Sequence, residues 1–201
     1  MNTLTTASDS MADPAPTGGA GHLSILGMPG SGKTTLGRAL AAHFALPFVD
    51  LDAEIVAHAG QSIPSIFQQH GEAHFRQLEA EVLRLVATRP GPLVLATGGG
   101  TPCFHDNLAV LDATGITLWL DVPVPVLAAR LAATAETASR PLLATTGPTE
   151  KWLRETLEVR YQFYSQAQLH QTEGTAPEAV AAQLLAAGFI PSPATQSRPG
   201  A

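Results

Sequence analysis

The sequence predicts an α/β fold in three layers, a five-stranded parallel sheet flanked by helices, and three observations point that way. Short apolar runs alternate with stretches of helical periodicity from residue 23 to residue 187. A glycine-rich octapeptide joins the first run to the first helical stretch. Residues with reactive side chains fall just after the runs, where ligands sit in open α/β sheets.

The strand-like runs are 23–26, 47–49, 93–96, 116–120 and a weaker fifth at 167–170, where Gln168 and His170 alternate with little apolar content. Runs this short and this apolar suit strands buried on both faces. The first helix shows in Leu36, Leu40 and Phe44. A later one carries an apolar stripe of Phe75, Leu78, Val82 and Leu85 or Val86. The last covers 177–187 and stops at Gly188.

A chain of 201 residues is the size of one ordinary domain. That domain is expected over 22–189. Residues 1–21 are rich in Thr, Ser, Ala, Pro and Gly and contain no Lys or Arg, so they read as a disordered tail rather than a signal or transit peptide. Residues 190–201 have the same polar, proline-containing character and read as a second loose end. No apolar stretch is long enough to span a membrane, and the expected compartment is the cytoplasm. Charged residues make up 14% and the net charge is −6, so there is no broad basic surface for nucleic acid. The single cysteine, Cys103, excludes an internal disulfide and reads as a small buried hydrophobe rather than a reactive thiol.

The octapeptide Gly27, Met28, Pro29, Gly30, Ser31, Gly32, Lys33, Thr34 is a phosphate-binding loop. Successive backbone N–H groups curl around phosphate oxygens, and side chains at the glycines would obstruct that approach. Lys33 reaches the terminal phosphates, Thr34 offers a hydroxyl to Mg²⁺, and the helix that follows points its positive end at the same anion. The expected ligand is a nucleoside triphosphate held by Gly30, Ser31, Gly32, Lys33, Thr34 and Thr35.

Four further places carry chemistry. After the second run stand Asp50 and Asp52, one suited to Mg²⁺ and the other to substrate, with capping of the next helix by Asp52 as the alternative. Arg76 and Glu79 lie off the apolar stripe of their helix; by themselves they read as a solvated i, i+3 pair, with Glu72 a second partner for Arg76. After the third run come Thr97, Gly98, Gly99 and Gly100, bare backbone where many phosphate-loop proteins place a metal-binding Asp. Finally, Arg140 lies in a segment from about 131 to 148 that is small, polar and poor in core periodicity, as a mobile lid would be.

Together these strings resemble the shikimate kinase family of small P-loop kinases, from residue 23 to about residue 188. The resemblance rests on 27–35, on Asp50 and Asp52, on 60–67, on Gly71 and Glu72 leading to Phe75, Arg76 and Glu79, on 97–100, on 140–143, and on Arg160 with Tyr164. It implies transfer of the γ-phosphoryl of ATP to the 3-hydroxyl of shikimate, with Mg²⁺, in aromatic amino-acid biosynthesis, by a monomer. It implies that Asp52 binds the shikimate hydroxyls and is the candidate base, and that Thr34 and Asp50 serve the metal. Arg76 and Arg160 would grip the substrate carboxylate, in keeping with the bidentate fit of guanidinium to carboxylate. Gly98, Gly99 and Gly100 would complete that site, and Lys33 and Arg140 would stabilise the transferring group.

The sequence departs from the family at the adenine-stacking arginine, whose usual position, seven before Arg140, is Ala133; Arg130 is the substitute expected here. The loop around 173–176 matches no assignable pattern. A gluconate kinase and a nucleotide-binding module without catalysis are the rival readings. Asp50 with Asp52, Arg76, the glycines and Arg160 argue against the first, and the joint presence of Lys33, Asp52, Arg140 and Arg160 argues against the second.

Overall fold

The computed structural model describes residues 21–133, 150–172 and 174–191. Five parallel strands, β1 (His22–Gly27), β2 (Phe48–Asp50), β3 (Val94–Ala96), β4 (Gly115–Asp121) and β5 (Leu169–Thr172), form one sheet in the order β2-β3-β1-β4-β5. Among the described residues seven α-helices flank the sheet: α1 (Lys33–Phe44), α2 (Leu51–Ala59), α3 (Ile63–Ala87), α4 (Asn107–Thr114), α5 (Val124–Ala133), α6 (Glu150–Tyr164) and α7 (Pro177–Ala186).

The period-two alternation of the strands sorts their side chains into two cores. Leu23 and Ile25 of β1, Val94 of β3 and Leu118 and Leu120 of β4 pack with Leu40 and Ala41 of α1 and Val180 and Leu184 of α7. Leu26, Val49, Leu95 and Trp119 face the other way, onto Ile55 of α2, Phe75, Val82 and Val86 of α3, Leu127 of α5 and Leu153 of α6. The sheet is therefore the middle of three layers, as expected.

Some boundaries differ from the sequence reading. The fifth strand begins two residues later than the apolar pattern suggested, because Ala167 packs into the core as the last turn of the α6 connection while Gln171 turns inward. The stripe of α3 closes with Val86, 1% exposed, and leaves Leu85 outside at 51%. Helix α5 runs through Ala133 with Leu131 fully buried, so the first residues of the expected lid belong to a packed helix. The rest of that segment, 134–149, lies outside the described residues, as do residues 1–20 and 192–201.

Helix α3 is broken at Gly71, whose φ of 78° and ψ of 177° interrupt the helical path. The crossover from β1 passes β3 to reach β2, and the crossover from β3 passes back over β1 to reach β4 on the other side. The crevice that this reversal opens lies at the carboxyl end of β1. The glycine-rich loop occupies it.

Candidate active site

The phosphate half of the crevice is made mostly of backbone. Gly30 and Gly32 adopt left-handed φ values of 79° and 94°, which an L side chain would resist. Gly32 is the residue that opens α1, which has no side-chain cap and no acidic residue in its first turn. A helix start of this kind suits an anion. Lys33, 7% exposed, bends back so that Nζ donates to the carbonyls of Gly27 and Met28, each at 3.0 Å. The ammonium is held at the loop it would serve.

A cleft of about 600 Å³ opens here, lined by Gly30, Ser31, Gly32, Lys33, Thr34 and Thr35, by Asp50, Asp52 and Thr97, and by Arg130. Arg130 Nη1 reaches across from α5 to the Gly30 and Ser31 carbonyls at 3.4 and 3.5 Å, which sets it beside the glycine-rich loop. A further wall is Gln171, Thr172, Gly174 and Thr175, with Gln171 Nε2 donating to Thr175 Oγ1. Sequence reasoning left this loop unassigned because its pattern shows only after folding.

Thr34 Oγ1 donates to Asp50 Oδ2 at 3.1 Å, so a hydroxyl and a carboxylate from separate elements meet at the cleft floor. Oxygen donors of this kind suit a hard divalent cation. The other oxygen of Asp50 accepts the Asp52 N–H at 3.1 Å and caps α2. The cap is therefore Asp50, not Asp52. Asp50 can do this because α2 starts at Leu51, directly after the strand, and Asp52 is left within the first turn of the helix, facing the cleft.

The second half is built from side chains. Arg76 is 5% exposed and Glu79 0%, so they are not the solvated pair that their spacing suggested. Arg76 Nη1 donates to Glu79 Oε2 at 2.8 Å, while Nε and Nη2 donate to Glu72 Oε1 at 3.3 and 3.1 Å. Thr101 Oγ1 donates to the other Glu79 oxygen at 2.6 Å. Burial pushes the Glu79 carboxyl up from its usual range, and the Arg76 guanidinium and the Thr101 hydroxyl pull it back. An ion pair taken out of water in this way needs further hydrogen bonds, and here both Glu79 oxygens have a donor.

The three glycines make room for this cluster. A Cβ on Gly98 would lie 2.9 Å from Glu79 Oε1 and 3.2 Å from Asp52 Oδ1; on Gly99 it would lie 2.9 Å from Arg160 Nη1; on Gly100, 2.6 Å from Arg76 Nη2. Each bare Cα thus touches a different candidate residue. Asp52, Arg76, Gly98, Gly99, Gly100 and Arg160 converge around one loop, adjoining the phosphate half.

Arg160 is half-buried on α6, its Nη1 4.0 Å from Met28 Sδ. One turn on, Tyr164 is fully buried and donates to the Gly99 carbonyl at 2.5 Å, tying α6 to the glycine loop. Burial pushes the Tyr164 hydroxyl up to about 12, so it stays a donor at any physiological pH. Cys103 is half-buried in the 3-10 turn Thr101–Cys103, and burial pushes its thiol up. Such a thiol is a poor nucleophile, as the sequence suggested, although it is not fully enclosed. Arg140 lies outside the described residues.

The chain matches the family model described as shikimate kinase over residues 29–187. It is 43% identical over 166 residues to a shikimate kinase of Nostoc punctiforme, covering 82% of this chain and 88% of that one. The structure of a shikimate kinase from Acinetobacter baumannii in complex with shikimate superposes with a TM-score of 0.72 at 36% identity, covering 82% of this chain and 90% of that one. A gluconokinase from Sinorhizobium meliloti superposes with a TM-score of 0.54 at 15% identity over 85% of this chain and 92% of that one, a likeness of fold alone.

Proposed function

The chain belongs to the shikimate kinase family, and from that premise we propose how its residues divide the work of moving the γ-phosphoryl of ATP to the 3-hydroxyl of shikimate. The products are shikimate 3-phosphate and ADP. Phosphoryl transfer has a loose transition state, so the protein's task is positioning and charge stabilisation.

The N–H groups of Gly30, Ser31, Gly32, Lys33, Thr34 and Thr35 cradle the phosphates. Lys33 leaves the Gly27 and Met28 carbonyls to meet the terminal phosphates, and Arg140 joins it from the lid. The nucleotide base lies between Arg130 and the wall of Thr172, Gly174 and Thr175. Thr34 and Asp50 would hold Mg²⁺, which would supply positive charge to offset that of the triphosphate. The observed hydroxyl–carboxylate contact supports that pairing.

Asp52 orients the shikimate hydroxyls and accepts the proton of the attacking one. Its carboxylate borders Gly98 and faces the cleft, which supports this role. Arg76 and Arg160 receive the shikimate carboxylate. Three N–H groups of Arg76 are engaged by Glu72 and Glu79, and two of the five remain for a planar partner beside Gly100. The observation that carries this reading is the buried, doubly anchored Arg76 packed against a bare glycine.

We further take 22–189 as one domain acting as a monomer in the cytoplasm, with 134–148 as its lid region. Among the described residues no helix is long and apolar enough to cross a membrane. A coupled ADP-release assay with shikimate, gluconate and no acceptor tests the whole reading. ADP release dependent on shikimate is expected. Release with gluconate alone would favour the sugar-acid kinase alternative, and none with either would favour a binding module.

A further inference from the structure

Phe104 follows the glycine loop and lies off every apolar stripe. It is 38% exposed, yet its ring sits against one of the most buried charges in the molecule. The guanidinium carbon of Arg76 lies over the Phe104 ring, 4.4 Å from its centroid, and 5.1 Å from the centroid of Phe75. Glu72 and Glu79 fix the guanidinium by hydrogen bonds in its own plane. Contact with a ring face restricts the tilt that such bonds leave open, and it screens the cation from water.

The backbone is bent to deliver this ring. His105 and Asp106 both adopt left-handed conformations, with φ of 51° and 54°, in a chain segment without glycine. Strain of this kind persists only where the surroundings over-determine it. They do so here: Arg84 Nη2 donates to the His105 carbonyl at 2.8 Å and Nη1 to Asn107 Oδ1 at 3.3 Å. Asn107, fully buried, donates to the Thr101 carbonyl at 3.0 Å, and Thr101 donates to Glu79. Arg84 and Glu79 belong to α3, as Arg76 does, so the helix that carries the arginine also pins the loop that covers it.

We propose that Phe104 is a positioning and specificity residue for the carboxylate of the substrate, holding the Arg76 guanidinium flat and dry so that its remaining N–H groups meet a planar anion. The proposal rests on the assignment of Arg76 to that carboxylate. Leucine at position 104 keeps an apolar side chain but removes the ring face, and tyrosine keeps the face.

The test is steady-state kinetics of the full chain, wild type against Phe104→Leu and Phe104→Tyr, with shikimate and with its carboxamide as acceptors. Loss of a cation–π contact of this kind predicts a rise of about tenfold in the shikimate KM of Phe104→Leu. Its kcat and ATP KM stay near wild type, and Phe104→Tyr restores the shikimate KM. With the carboxamide, which lacks the anion, wild type and Phe104→Leu become alike. A wild-type shikimate KM in Phe104→Leu overturns the proposal, as does an equal loss with the carboxamide, which would mean simple apolar packing. An ATP KM that rises with the shikimate KM overturns it too, because the defect would then be general. A wild-type protein with no shikimate-dependent ADP release overturns the assignment of the site itself, a result distinct from a normal wild type with an unaffected leucine variant.

Discussion

The two halves of the crevice are built on opposite principles. The phosphate half is one unbroken stretch of chain, 27–35, whose ligating groups are mainly backbone N–H, with one lysine that rests on the carbonyls of its own loop. The other half, proposed above to receive the acid, gathers side chains from α2, α3, the turn after β3 and α6, and centres on a charge pair removed from water. A phosphate is gripped by many weak dipoles in a fixed curve, so local geometry suffices. A carboxylate on a small polyol needs a few strong, oriented charges, and these hold their aim only when buried and braced by other elements. The first half should tolerate damage elsewhere in the molecule, and the second should not.

The largest expected effect lies on the phosphate side. Arg140→Ala should lower turnover by about 10³-fold, in line with other arginines aimed at transferring phosphates. Its thermal melt and shikimate affinity should stay unchanged. Near-normal turnover would remove Arg140 from the transferring group and leave the phosphate half to backbone and Lys33.

On the acid side the largest effect should be on folding. Glu79→Ala strands Arg76 in a buried setting and should cost about 3–5 kcal/mol in urea unfolding. A loss below about 1 kcal/mol, the value of a surface pair, would mean that the pair is solvated after all. Tyr164→Phe should be milder, about 1–2 kcal/mol, because it leaves the Gly99 carbonyl without its donor. It should raise the shikimate KM and spare the ATP KM; equal change in both would show that Tyr164 braces the whole crevice.

The smallest effect should touch neither half. His22, at the start of β1, is 1% exposed, and neither ring nitrogen has a full hydrogen-bond partner. Burial lowers its pKa, with the Arg89 charge adding slightly and the nearby Val86 and Ala87 carbonyls opposing. The unfolded chain therefore binds the proton more readily than the folded one. Stability from this group is full above pH 6.5 and falls as the pH drops below it, by at most about 1.4 kcal/mol per pH unit. His22→Leu should flatten that part of the stability profile while shikimate and ATP KM at pH 7.5 stay put. An unchanged slope would show that His22 does not titrate there.

The same contrast decides what was legible in the sequence. The phosphate loop, the five strands and the last helix follow from contiguous patterns, and the structure shows them within a residue or two. Asp50 and Asp52 were legible as a pair, but which one caps α2 depended on where the strand ends. Arg76 and Glu79 were visible only as off-stripe charges; their burial comes from Thr101, Phe104 and the glycine loop, which lie 19 to 28 residues away in sequence. Only the family resemblance pointed to Tyr164, four residues after Arg160, and its hydrogen bond to Gly99 spans 65 residues. Phe104 shows in the sequence only as the end of 101–104, which replaces the family's simple aliphatic run and reads as lying beyond the site; Arg84 gives no local signal, because a surface arginine acquires meaning only from the fold.

The central claim is that the acid-binding half recognises a carboxylate through the Arg76 fork, independently of the phosphate half. Calorimetric titration of Arg76→Lys with shikimate and, separately, with ATP tests it most directly. The account predicts shikimate affinity reduced by at least about tenfold, since a point charge replaces a bidentate fork, and ATP affinity unaltered. Unchanged shikimate affinity, or a matching loss for ATP, would contradict it.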